Sequence, residues 1–245
     1  MLAVFVNCGA VILGSIIGLL FSKKFSDELS DMIQTAAGII TIVIGLQMAF
    51  KYDSVVILTL SLIIGGILGY LMDIDGKILK LGCFLEKLVS KKNGESTDNS
   101  SLESKNKNFA YAFLNSSVLF CVGAMSIVGS FKAGIEKDYT IIFTKSILDG
   151  FMAISFAAAM GVGTAFSTLV ILVYQGCLTL LSGFLQPYVS DLLISEVSAC
   201  GGAIIVMIGI NLIGLKKIKT ANFIPALVVE ILFVVFVPLI KLLFV

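Results

Sequence analysis

The chain has 245 residues, of which 58% are hydrophobic and 13% charged, and its mean hydropathy of +1.06 lies far above that of a soluble domain. Formal net charge is +1, and every one of the 17 cationic residues is lysine. The bidentate guanidinium clamps used on nucleic acid are therefore excluded, and the partner the composition does imply is the lipid bilayer. The apolar runs are helix-length rather than ten-residue alternating segments, so the expected class is all-α: a polytopic transmembrane helical bundle of about eight spans, or seven, forming a single domain over 1–245.

In chain order, span one covers residues 3–21, with Asn7 near its start and Gly9, Gly14 and Gly18 offering a slim face for close helix contact. It lacks a basic segment ahead of it and is read as a retained span rather than a signal peptide. A polar turn over 22–31 leads to span two, 32–50, which carries Gln47. Span three is 55–72 and ends in Gly65-Gly66 and Gly69. Residues 73–108 change character: lysines 77, 80, 87, 91 and 92 interleave with apolar residues, as in an amphipathic helix lying on the cytoplasmic membrane surface, and the polar run 93–101 reads as a flexible linker. Span four is 110–131. Span five, 141–160, contains Lys145, Ser146 and Asp149. Gly161-Val162-Gly163 permits a tight reversal into span six, 164–185, with Tyr174, Gln175 and Gly176 near its centre. Span seven, 192–215, contains Asn211. Span eight, 222–244, contains Asn222, Pro225 and Glu230.

Lys145 and Asp149 stand four apart, so on a helix they share a face one turn from each other, with Ser146 on the same side. Ionisable side chains within the hydrocarbon cost several kcal/mol and typically line a bundle interior or a wet cavity. With a rise of about 1.5 Å per residue, a helix starting at Ile141 puts Asp149 roughly 12 Å deep, near the middle of a core about 30 Å thick. The plainer alternative has Lys145 snorkelling to an interface with Asp149 as a neutralised structural partner. Asn7, Gln47, Gln175, Asn211 and Asn222 are amides at or within spans, each able to serve as interhelical glue and together suggesting a polar path. Glu230 falls at about the depth of Asp149 and is a second candidate for proton or cation handling, whereas Glu196, near a span end, is expected to be solvated.

The five scattered cysteines, the absence of histidine and the absence of a Cys-x-x-Cys pair point to buried small residues, not to a disulfide, a zinc site or haem. The glycine clusters read as packing surfaces; none is a phosphate cradle in the required strand-to-helix setting. No cofactor is expected.

If there are eight spans, 12 lysines fall on one side of the membrane and four on the other. The positive-inside rule makes the lysine-rich side cytoplasmic and puts both termini outside. A shift of 164 residues aligns Ser26-Asp27 with Ser190-Asp191, Leu29 with Leu193, Gly38 with Gly202, Ile40 with Ile204 and Ile44-Gly45 with Ile208-Gly209, and sets Gln47 on Asn211. Spans one to three would then repeat as six to eight with opposite orientation, the inverted arrangement of many secondary transporters. A rival register, Gly9-Ala10 and Gly14-Ser15 on Gly123-Ala124 and Gly129-Ser130, pairs spans one and four and is also inverted.

Asn7 with its glycine-rich span, the segments 120–130, 144–150, 173–176 and 209–212, and Asn222-Phe223-Ile224-Pro225-Ala226-Leu227 together resemble the bacterial membrane-protein family catalogued as domain of unknown function 554. The resemblance covers nearly the whole chain and implies a protein of the bacterial cytoplasmic membrane, without implying a reaction. The leading expectation is a transporter of a small solute or ion built around Asp149, with Lys145 as its charge partner and Gln175, Asn211, Asn7 and Gln47 as lining or gating groups. A channel is the nearest variant. A membrane enzyme would need convergent nucleophile, acid and base groups, and none is expected here. A scaffold or signalling partner working through the lysine-rich helix is the third class; deletion of residues 77–92 would abolish its function but spare solute binding by a transporter. The glycine-rich faces also offer a surface for a homo-oligomer.

Overall fold

The computed structural model describes residues 1–22, 27–77, 80 and 99–243, and every regular element among them is helical. The elements are α1 (Leu2–Ser22), α2 (Asp27–Ala49), α3 (Val55–Leu71), α4 (Asn99–Cys121), α5 (Ala124–Ile135), α6 (Thr140–Met160), α7 (Gly163–Leu180), α8 (Asp191–Leu212) and α9 (Ile224–Leu243). A short helical turn, Ser182–Leu185, follows α7, and a 3-10 turn, Thr220–Phe223, leads into α9. Among the described residues five helices are long and apolar enough to cross a membrane, and the bent pair α4 and α5, taken as one span, makes a sixth; α3 and the segment 220–236 are apolar but shorter. Leu13, Leu20, Phe21, Met32, Phe151 and Val173 are among the large apolar side chains left on the outside, a surface that suits lipid rather than water.

Local chemistry marks the boundaries. Ser54 Oγ accepts from Ile57 N at the start of α3, and Ser190 Oγ accepts from Leu193 N (3.1 Å) at the start of α8. Ahead of α6, the exposed Asp138 carboxylate accepts from Thr140 N (3.0 Å), which holds its carboxyl below the ordinary value of 3.8. Gly161, at φ +93°, makes the reversal between α6 and α7.

Span four departs from expectation. Instead of one helix over 110–131, the chain bends by 60° between residues 121 and 125, because Gly123 adopts φ +139° and Ser126 Oγ donates to Phe120 O (3.1 Å) across the break. Part of the expected linker also differs, since α4 already begins at Asn99. Most of the expected amphipathic helix, together with residues 93–98 of the linker, lies outside the described residues.

The helices meet through glycines. A Cβ at Gly14 or Gly18 would collide with the carbonyl oxygens of Gly150 or Ile154, so α1 lies directly on α6, and the rising register shows that the two run parallel. α2 and α8 pack antiparallel in a reciprocal manner: Gly45 lies against Gly202, and Gly38 lies against Gly209. α3 and α9 are also antiparallel, with Gly65 on Ala226 and Gly69 on Asn222. The main core gathers Val4, Val11, Phe120, Phe156, Ile171, Ile204 and neighbouring side chains between these pairs.

Candidate functional site

The parallel packing of α1 on α6 brings Asn7 to the charged turn of α6, and α7 closes the third side. Lys145 Nζ donates to both carboxylate oxygens of Asp149, at 2.7 Å to Oδ1 and 2.6 Å to Oδ2. Asn7 Nδ2 donates to Asp149 Oδ2 (3.2 Å) and to Gln175 Oε1 (3.1 Å). The pair is only 6% exposed at each residue, and both amides are fully buried. Asp149 is nine residues into α6, about 13 Å along the helix and close to its middle. Lys145 therefore turns inward to its partner rather than outward to an interface.

The cluster is not saturated. Among the described residues Asn7 Oδ1 and Gln175 Nε2 are buried with no hydrogen-bond partner, one an acceptor and the other a donor. Buried polar atoms left this way cost about 1–3 kcal/mol each, so the cluster presents one spare acceptor and one spare donor beside an ion pair. The broken span borders the same place: Cys121, the last residue of α4, packs in one core cluster with Cys8 and Ala153 and lies within electrostatic reach of Lys145 and Asp149. The bend at Gly123 is thus next to the site, a proximity that glycine spacing in an apolar run does not reveal.

The other expected site residues lie elsewhere or face inward to their own helix. Ser146 Oγ donates to Ile142 O (2.7 Å), one turn back. Gln47 is exposed on α2. Asn211 spends both amide ends on the loop after α8, with Nδ2 donating to Ile218 O (2.8 Å) and Oδ1 accepting from Ile218 N (2.6 Å). Asn222 Oδ1 accepts from Asp75 N (2.9 Å), tying the segment after α3 to the start of α9. Asn211→Ala is therefore expected to lower thermal stability by about 1–3 kcal/mol while leaving any ligand-induced stabilisation intact, as a thermal unfolding assay would show.

Glu230 is fully buried at the α3–α9 contact, apart from the Asp149 cluster. Glu196 corrects an expectation: it is 1% exposed rather than solvated, because the start of α3 covers it, and its Oε1 accepts from Asp53 N (3.2 Å) and Ser54 N (2.8 Å). Sequence position near a span end carried no sign of that cover.

Two curated relatives are similar over most of their length. An uncharacterized membrane protein of Bacillus subtilis, YdfK, is 32% identical over 227 residues, 91% of each chain. An uncharacterized Escherichia coli protein, YqgA, is 25% identical over 226 residues, covering 91% of this chain and 92% of its own. No solved structure matches the chain. A family model described as "Protein of unknown function (DUF554)" matches residues 2–235, and with a membrane-protein relative at 32% identity and an apolar helical bundle, this chain belongs to that family of membrane proteins.

Proposed function

We propose that the protein is a transporter of a small polar solute or ion, with its binding site at Asp149, Lys145, Asn7 and Gln175. The observation that carries this reading is the Lys145–Asp149 pair at mid-helix beside an unused amide acceptor and an unused amide donor. A structural ion pair needs no such neighbours; a ligand that both donates and accepts hydrogen bonds fits them, with Lys145 and Asp149 offering charges of both signs.

Helix directions support the reading. α1 parallel to α6, α2 antiparallel to α8 and α3 antiparallel to α9 are the senses required by an alternating path in which α4 and α5 together make one crossing. The shift of 164 residues superimposes Gly38 on Gly202 and Gly45 on Gly209, and the contacts run crosswise between these two pairs, Gly38 with Gly209 and Gly45 with Gly202. A two-fold axis in the membrane plane would produce that pattern, as in inverted-repeat transporters. In the same reading the lysine-rich side is cytoplasmic, the membrane is the bacterial cytoplasmic membrane and both termini are outside.

The test is a thermal-shift screen of purified protein against alkali ions, amino acids and organic acids, run in parallel on Asp149→Asn. A ligand at about a hundred times its dissociation constant stabilises by about 2.7 kcal/mol. The expected result is a hit lost in the variant. A hit retained in full by Asp149→Asn would remove Asp149 from the binding site.

A further inference from the structure

The antiparallel register that sets Gly65 on Ala226 and Gly69 on Asn222 puts Ser61 of α3 opposite Glu230 of α9. Glu196 and Cys200 approach from α8, so the three helices enclose two carboxyl groups at their junction. Their exposures are 0% for Glu230 and Ser61 and 1% for Glu196.

The two carboxylates differ in how their charge is met. Glu196 Oε1 has the amide hydrogens of Asp53 and Ser54 at the start of α3, where the helix dipole also favours an anion. Among the described residues Glu230 accepts no hydrogen bond of ordinary geometry: both its oxygens, together with Glu196 Oε2 and Ser61 Oγ, are without such a partner. Ser61 and Glu196 are near enough to act on Glu230, yet two bare carboxylates have no hydrogen to share and Ser61 Oγ makes no bond of ordinary geometry. No lysine occurs in α3 or α8, and Lys241 is eleven residues beyond Glu230, roughly 16 Å along α9. An ionised carboxylate left so costs several kcal/mol, which a bound positive charge relieves.

We propose that Glu230, Glu196 Oε2 and Ser61 Oγ form a buried site for one monovalent cation, a proton or a sodium ion, distinct from the Lys145–Asp149 cluster. A proton on Glu230 donates to Glu196 Oε2, so that the pair carries one negative charge, the one already met by the start of α3. A sodium ion in its place is held by the same four oxygens, hard donors of the kind that alkali and alkaline-earth cations take. Cys200 is the remaining titratable neighbour from α8. Two separated sites, one for solute and one for cation, would give this chain the parts that ion-coupled movement requires.

Infrared difference spectroscopy on the purified full chain, titrated with pH and separately with sodium chloride, tests the site in wild type, Glu230→Gln and Asp149→Asn. A carboxylic-acid carbonyl band that grows as pH falls, is indifferent to sodium, disappears in Glu230→Gln and persists in Asp149→Asn identifies a proton. Carboxylate bands that shift with sodium, and lose that response in Glu230→Gln alone, identify sodium. Spectra of Glu230→Gln that match wild type at every pH and salt concentration would overturn the proposal. If Glu230→Gln does not fold, Ser61→Ala keeps both carboxylates and is expected to move the midpoint of either titration, by about one pH unit for a proton. An unmoved midpoint in Ser61→Ala would then overturn it.

Discussion

Asp149→Asn is expected to lower the stability of the folded protein by about 3–5 kcal/mol, because it leaves the Lys145 ammonium, 6% exposed, with no anion in a site closed to water. Replacing both charges together, as Lys145→Met with Asp149→Leu, removes the pair's desolvation cost along with its attraction. That double variant is expected to match wild type within about 1 kcal/mol or to exceed it. Equilibrium unfolding of the three purified proteins gives the comparison. If the ion pair served stability alone, the double variant would be an improvement with no loss; the transport reading expects a sound fold that no longer responds to ligand. A double variant as unstable as Asp149→Asn would show that the charges hold the bundle together through more than each other.

The second large effect is expected at a glycine. A Cβ on Gly14 would be driven into the Gly150 carbonyl oxygen and against Ala153, whereas one on Gly9 meets nothing within 4 Å. Gly14→Ala is accordingly expected to cost about 1–3 kcal/mol, the usual penalty for overfilling a tight contact. Gly9→Ala is expected to be neutral or to gain up to about 1 kcal/mol from helix propensity. The two variants also separate function from folding. Gly14 is two turns beyond Asn7 on α1, so wedging α1 away from α6 draws Asn7 off Asp149 and weakens ligand response; Gly9→Ala leaves both contacts in place. Equal behaviour of the two variants in thermal unfolding would contradict the packing of α1 on α6.

What could be read in the sequence was what depends on one helix at a time. Lys145 and Asp149 pair because an i, i+4 spacing needs only the helix, and the apolar sequence around them placed them at depth. Asn7 and Gln175 were visible as amides, but their meeting depends on α1 and α7 flanking α6, which no local pattern encodes. Asn211 and Gln47 looked equivalent to them and are not: one clamps a loop, and the other is exposed. For Glu196, nearness to a span end does not mean contact with water, because the start of α3 folds over that end. The bend at Gly123 was hidden for a different reason. A glycine that packs and a glycine that takes positive φ look identical in an apolar run, so only the backbone separates Gly123 from Gly14.

Uptake into proteoliposomes tests the central claim most directly, using the compound or ion that stabilises the wild-type protein and comparing wild type with the Lys145→Met, Asp149→Leu double variant. The expected result is saturable uptake by wild type and uptake at the level of empty vesicles by the folded double variant. Equal uptake by the two proteins would contradict a site at Asp149, and binding without uptake by wild type would contradict transport.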